Sequence, residues 1–523
     1  MYDLVIERGK IFDGTGKDYY IKDIGIKGEK IIKIGKLKND TAKKRIDAKG
    51  YTVSPGFIDI HSHSDFGLFF APYESNKIMQ GITTEVTGHC GYSMFPILKE
   101  RISIFKTLME ADNINVDINW SSASDFLDKL EKKGIGVNFV PLVGHGSIRM
   151  NVMGFEARSA TEDEIEKMKV LLENAFKQGV FGLSTGLGYA PGSFSNTHEL
   201  IELSKVIAKY NGIYATHLRD QGDNLLKSVN EAIKIGKKSK ASIDISHLKA
   251  SGKNNWGKVK NAIKLIEEAR EEGLNIICDF YPYIAANNPM SALLPKWVHE
   301  GGSNRLLERL KTKDIRDKIK KEDKVDWSKI IIAQVKNEKN KSFEGKRITE
   351  IANILKKDNI DTVSDLLIKE KGGISVICIV MCEDDVKDVS KYPFAAIGSD
   401  AIALPDHLKD FNGHPRNFGT FPRFLGKYVR EEKVTTLKDA IRRMTSLPAQ
   451  FLDIKNRGIL KENNFADIVI FNENEIIDKN TFDTPFKYPE GMEYVIINGQ
   501  IQVEKGKHKK ISCGKILRKN VNI

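Results

Sequence analysis

Short apolar runs broken by turn residues mark both ends of the chain, whereas its middle alternates such runs with amphipathic stretches. Near the N-terminus, Leu4-Val5-Ile6-Glu7-Arg8, Ile24-Gly25-Ile26-Lys27 and Ile31-Ile32-Lys33-Ile34 are strand-like, and Asp13-Gly14-Thr15-Gly16 and Lys27-Gly28 punctuate them as turns. The far end reads alike. Asp467-Ile468-Val469-Ile470-Phe471 precedes a run from Tyr494 to Val503 interrupted by Asn498-Gly499, a dipeptide that favours a two-residue hairpin turn. Residues 1–54 and 456–523 are therefore expected to build one small β-sandwich from both termini.

In the middle, Val137-Asn138-Phe139-Val140-Pro141-Leu142-Val143 leads to a helix from Asp163 to Lys177. Thr161 opens it with Glu164 three residues on, the spacing of a capping box. Gly182–Thr185, Ile213–Thr216, Ala241–Ser246 and Asn275–Phe280 follow as strands, with helices predicted at about 198–210 and 224–238. Buried strands alternating with helices are the pattern of a parallel sheet. Their number predicts a closed (β/α)8 barrel over residues 55–455, an α/β fold. From about Ala286 to Lys371 the rhythm breaks into charge-rich helical sequence, read as an inserted, lid-like subdomain or, equally, as a plain solvent-exposed insertion. It resumes at Ile374–Cys378 and Phe394–Asp400, both expected to be late barrel strands.

A chain of 523 residues, 41% hydrophobic and 29% charged, can bury a large core. No apolar run reaches the roughly 18 residues of a membrane-spanning helix, and Met1-Tyr2-Asp3-Leu4-Val5-Ile6-Glu7-Arg8 lacks the basic-then-apolar order of a signal peptide. Five scattered cysteines (Cys90, Cys278, Cys378, Cys382, Cys513) form no disulfide framework. A reducing, cytoplasmic setting without a membrane partner is expected. The net charge of +12 raises the question of nucleic acid. The lysines, however, are spread along amphipathic segments such as Ala232–Lys238, the pattern of solvated helix faces, and no nucleic-acid motif accompanies them. The basicity favours an anionic small molecule instead.

The chemistry of such barrels gathers at the C-terminal ends of the strands. Pro55-Gly56-Phe57-Ile58-Asp59-Ile60-His61-Ser62-His63 ends an apolar run in two histidines spaced i, i+2, which share one face of a strand. Cys90 follows Glu85-Val86-Thr87-Gly88-His89, Thr216-His217 and Ser246-His247 close two later strands, and Ser399-Asp400 closes a last one. Each alone has an ordinary structural reading: a hydrogen-bonded histidine, a buried thiol, a helix cap for Asp400. Together on one rim, histidine, cysteine and carboxylate point to zinc, which lowers the pKa of water and polarises a carbonyl. Asp400 would then move a proton to a leaving amine. A competing reading makes Cys90 a direct nucleophile with a histidine base, and it leaves His61 and His63 without a role.

The stretch from Pro55 to His63 resembles the signature of the amidohydrolase superfamily. Gly88-His89-Cys90-Gly91-Tyr92-Ser93, Gly186-Leu187-Gly188-Tyr189-Ala190-Pro191-Gly192, Thr216-His217-Leu218-Arg219-Asp220, Ser246-His247-Leu248-Lys249 and Gly398-Ser399-Asp400 narrow the resemblance to D-aminoacylases (N-acyl-D-amino-acid deacylases) over nearly the whole chain. The resemblance implies a split β-sandwich with a metal-bearing barrel. It implies one tight zinc on Cys90, His217 and His247, and a second, weaker position at His61 and His63 that Cys90 can bridge. It makes Asp400 the catalytic base, Lys249 and Tyr281 holders of the substrate carboxylate, and Tyr189 a residue on the substrate side. Arg416, in His414-Pro415-Arg416, is a further carboxylate candidate through its guanidinium fork.

Two features depart from the family pattern. His89 stands where Asn is usual and either touches the metal shell or packs outward, the latter being the expectation, and the inserted segment is longer and richer in lysine. The implied activity is zinc-dependent hydrolysis of an N-acyl-D-amino acid to a carboxylate and a free D-amino acid, by a monomer or homo-oligomer. The alternatives are a cyclic-amide hydrolase of the dihydroorotase or hydantoinase kind, a D-dipeptidase, and a barrel scaffold without chemistry.

Overall fold

The computed structural model describes residues 1–111, 116–405 and 413–520. Its first strands are β1 (Tyr2–Ile11), β2 (Tyr20–Lys27), β3 (Lys30–Gly35), β4 (Ala42–Asp47) and β5 (Thr52–Pro55). β1 is long enough to pair twice along one edge, with β4 through its first half and with β5 through Lys10 and Ile11. β2 runs antiparallel along its other edge.

The barrel begins with β6 (Phe57–Asp59), β7 (Ile82–Thr87), β8 (Asn138–Gly144) and β9 (Gly182–Gly186). It continues with β10 (Ile213–His217), β11 (Ser242–Ile245) and β12 (Ile276–Phe280). Consecutive strands are parallel neighbours throughout, joined by helices such as Glu162–Lys177, whose Thr161 and Glu164 form the expected capping box.

An inserted unit follows, with β13 (Ala286–Pro289), β14 (Ile330–Gln334) and β15 (Ser375–Cys378) in an antiparallel sheet. Helices Ser303–Leu310, Lys313–Glu322, Ile348–Leu355 and Asn359–Lys369 pack with it around Leu306, Trp327, Ile332, Ile351 and Leu366. The run Ile374–Cys378 is thus not a barrel strand as expected. It is the central strand of this sheet, paired with β13 on one edge and β14 on the other. A short apolar run does not encode the direction of its partners, and Val376 and Cys378 feed the insert's own core.

The eighth barrel strand is β16 (Ala395–Ile397), parallel to β12. The seam between β16 and β6 closes just beyond both strands. Ser62 bridges Ala401 in parallel register, the Asp400 N–H donates to His61 O at 2.7 Å, and the His63 N–H donates to Ala401 O at 2.9 Å. Alternate strand residues divide between two cores. Ile58, Val86, Leu142, Ile213, Ala215 and Ile277 form an inner cluster with Leu447 and Leu452, whereas Phe57, Phe139, Leu183, Ile243 and Cys278 join the helical layer.

The chain then returns to its first sheet with β17 (Ile468–Phe471), β18 (Met492–Ile497), β19 (Gln500–Glu504) and β20 (Lys507–His508). β17 lies antiparallel to β5, so one strand pair joins the two ends in a nine-stranded sheet. The β18–β19 turn is Asn498-Gly499, with φ of 48° and 77°. Both angles are left-handed, as the predicted tight hairpin requires. Among the described residues, no helix is long and apolar enough to cross a membrane.

Candidate metal centre

The histidines and the cysteine converge because their strands end on one rim. His61 and His63 lie just past β6, Cys90 past β7, His217 is the last residue of β10, His247 lies past β11, and Asp400 past β16. Cys90, His247 and Asp400 all have left-handed backbones, with φ of 55°, 38° and 51°. Such conformations are strained for residues with a side chain and persist where the surroundings enforce them. Around Cys90 the turn is set by glycine. A Cβ on Gly88 would stand 2.3 Å from Leu142 O, and one on Gly91 would stand 2.6 Å from Gly186 N.

Cys90 Sγ lies 3.5 Å from His61 Nε2, 3.7 Å from His217 Nδ1 and 3.4 Å from His247 Nε2. The His217 and His247 nitrogens are 2.9 Å apart. A second group shares His61. His63 Nε2 is 3.1 Å and His61 Nε2 3.6 Å from Asp400 Oδ1. The sets His61–Cys90–His247 and His61–His63–Asp400 have the donor types and spacing to hold a metal ion. Outer partners fix the rings, as metal-binding histidines require. Asp279 Oδ2 is 2.9 Å from His61 Nδ1, and its Oδ1 accepts the His247 backbone N–H at 2.7 Å. The Gln221 side-chain amide lies 3.0 Å from His247 Nδ1.

The charges at Cys90, His217 and His247 suit a cation, whereas His61 is held in its charged form. Burial opposes ionisation of the Cys90 thiol, yet His61 and His63 draw its pKa down to about 6. Burial also opposes charging His61, but Asp279, Cys90 and Asp400 raise its pKa to about 10. His217 and His247 go the other way. Burial and the Lys249 ammonium push His217 to about 3 and His247 well below its usual value, so both imidazoles are neutral, the form that binds metal. Asp400 is held ionised against its burial by Arg416, His61 and His63.

The remaining sequence candidates line the same cavity, of about 1990 Å³. Tyr189 OH is 3.3 Å from His217 Nδ1. Lys249 Nζ stands 5.5 Å and Arg416 Cζ 4.7 Å from the Tyr281 ring centroid. Arg416 Nη1 is 2.7 Å from Asp400 Oδ2, which makes it a partner of the candidate base. Lys249 donates to His247 O at 3.1 Å. Among the described residues, it has no carboxylate at ion-pair distance.

Two residues contradict the sequence reading. His89 does not pack outward. It is fully buried and stacks on His61, with ring centroids 4.0 Å apart and planes 21° apart. The Gly88–Gly91 turn folds it under the rim rather than away from it. Lys77, in a chain whose lysines read as solvated, is also fully buried. Its ammonium lies 2.8 Å from both Asp59 Oδ2 and Ser399 Oγ, 3.2 Å from Ser62 Oγ, 3.3 Å from Ala401 O and 3.6 Å from Glu85 Oε2. It therefore ties the His61–His63 segment to the Ser399-Asp400 segment across the seam. Asp279 and Gln221 were also missed; the acid of Cys278-Asp279-Phe280 at a strand end was the available signal.

A closed parallel barrel with a cysteine–histidine–carboxylate cluster on its C-terminal rim defines a hydrolase barrel of the metal-dependent kind. The profile of the amidohydrolase family matches residues 44–503. A D-aminoacylase of Alcaligenes xylosoxydans xylosoxydans is 32% identical over 511 residues, which cover 97% of this chain and 96% of that protein. The crystal structure of an N-acyl-D-glutamate deacylase from Bordetella bronchiseptica, complexed with zinc and a phosphonate inhibitor, superposes with a TM-score of 0.84 at 29% identity over 99% of each chain. A D-hydantoinase from Thermus sp. shares the fold at a TM-score of 0.56 and 15% identity, covering 99% of each chain. The chain belongs to the amidohydrolase family, in its D-aminoacylase branch.

Proposed function

We propose that the protein is a zinc-dependent N-acyl-D-amino-acid deacylase, and the observation that carries this reading is Cys90 between His217 and His247. Their Cys–His separations of 3.4 and 3.7 Å match the edge of a tetrahedral zinc site with sulfur and nitrogen ligands, roughly 3.6 Å. Cys90, His217 and His247 would hold the tight ion, with His61 and His63 at a weaker position beside it. Zinc held there supplies Lewis acidity, polarising the amide carbonyl and acidifying water.

The chain's own residues do the rest. Asp400 is buried, ionised and oriented by Arg416 and His63, so it can take a proton from the attacking water and return it to the leaving nitrogen. The Tyr189 hydroxyl, beside His217, is placed to donate to the carbonyl oxygen as charge develops there. Lys249, over Tyr281, offers a cation for the substrate carboxylate. The relatives named D-aminoacylase and N-acyl-D-glutamate deacylase support the D configuration. Purified, zinc-loaded protein should release amine from N-acetyl-D-methionine and spare the L isomer. Silence across a panel of acyl-D-amino acids would refute the reading, and turnover of hydantoins instead would establish the cyclic-amide alternative.

A further inference from the structure

The cavity over the rim is far larger than an N-acetyl amino acid needs. Its volume of about 1990 Å³ exceeds even the roughly 300–1,000 Å³ usual for drug-sized ligands. The loops after different strands bring different groups to those walls. Phe66 and Phe70 follow β6, Met94, Phe105 and Met109 follow β7, and Phe155 follows β8; these line one side. Phe70 remains 49% exposed, an uncommon state for a large apolar side chain. The cationic and aromatic groups Lys249, Tyr281 and Arg416 follow β11, β12 and β16, where Trp256, Leu293 and Leu306 add apolar surface. In a closed barrel of eight strands in this order, β7 and β8 stand across the axis from β11 and β12. Cys90, His217 and His247 lie between the two walls.

An acyl-D-amino acid has the same polarity about its amide. The nitrogen side carries the α-carbon with both carboxylate and side chain, and the other side carries only the acyl group. A carboxylate held at Lys249 places the α-carbon on that wall, and the acyl group then extends towards the phenylalanines. We infer that this lobe is an acyl subsite and that the enzyme prefers N-acyl-D-amino acids with a medium-length aliphatic acyl chain over N-acetyl ones. The inference rests on the deacylase reading above. It names the part of the substrate the apolar wall selects. Burial of the chain acts equally on ground and transition states, so it lowers KM more than it raises kcat.

The test is a series of N-acetyl-, N-butanoyl-, N-hexanoyl- and N-octanoyl-D-methionine with the zinc-loaded enzyme, beside N-acetyl-D-amino acids of increasing side-chain size. A fully buried methylene is worth about fourfold in affinity. With partial burial, kcat/KM should rise about 10- to 100-fold from acetyl to octanoyl, mainly through KM. In Phe70→Asp and Phe155→Asp, both outside the buried core, the octanoyl-to-acetyl ratio should collapse towards one. A ratio that is flat or falls with acyl length overturns the inference while leaving the deacylase reading intact. A rise confined to the side-chain series does the same and assigns the lobe to the side chain. No amine from any member of either series refutes the deacylase reading, and the inference with it.

Discussion

Lys77→Met tests whether one buried ammonium holds the catalytic seam together. The substitution keeps an unbranched, flexible stem and removes the charge that contacts Asp59, Ser399, Ser62 and Ala401 O within 3.3 Å. Burial opposes that charge, yet Asp59 and Glu85 keep Lys77 protonated, with its pKa raised. Without it, the buried Asp59 and Glu85 side chains have no other ion-pair partner among the described residues, and breaking a buried pair from one side costs about 3–5 kcal/mol. The zinc-loaded variant should lose that much in urea unfolding at pH 7, followed by tryptophan fluorescence. Turnover should fall at temperatures where the variant is still folded, because the ammonium no longer bridges Ser399 and Ser62 across the seam. Lys77→Met combined with Asp59→Asn should recover about half of the lost stability, the coupling expected of groups in contact. A loss below about 1 kcal/mol, or no recovery in the double variant, would show that the ammonium does not balance Asp59.

Asp400→Ala should keep its zinc, by elemental analysis, and lose nearly all turnover; a well-active variant would remove Asp400 from the proton path. Cys90→Ala should lower the metal content after dialysis, because it deletes the thiolate, and full occupancy would assign the ion to other donors. Lys249→Ala should raise KM for carboxylate substrates with a smaller change in kcat, and an unchanged KM would refute the contact. Glu199 gives a pH test. Burial opposes its charge, but His145 and Arg149 hold its pKa at about 2 against an ordinary 4.5. The depressed value means that its contribution, about 3 kcal/mol, is complete above pH 4.5 and fades as pH falls towards 2. Glu199→Gln should therefore be weakened at pH 7 and converge on the parent protein at the acid end, as read by unfolding across that window.

Much of the fold was legible because local chemistry and tertiary structure agree. Asn498-Gly499 makes the turn its backbone freedom suggests, and Thr161 and Glu164 cap the helix they announce. The rim residues were readable because strand ends are where a barrel places its chemistry, so their clustering needed only the strand order. What escaped depends on partners distant in sequence. The direction of the strand Ser375–Cys378 is decided by Ala286–Pro289 and Ile330–Gln334, not by its own four residues. Lys77 looks like any helix lysine until Asp59 and Ser399, 18 and 322 positions away, are brought against it. His89 reads as a neighbour of Cys90, and only the Gly88–Gly91 turn shows that its ring lies under His61.

The pairing of β5 with β17 has a consequence for the order of events during synthesis. Val53 and Ile470 face each other in that ladder although more than four hundred positions separate them. As the chain leaves the ribosome, β5 emerges early with one edge unpaired, and it stays so until the barrel, the insert and β17 have all been made. Contacts so remote in sequence form late, and an open strand edge meanwhile invites pairing with other chains. Any product cut short before Ile468 lacks the strand that covers β5 and leaves that edge open to other chains.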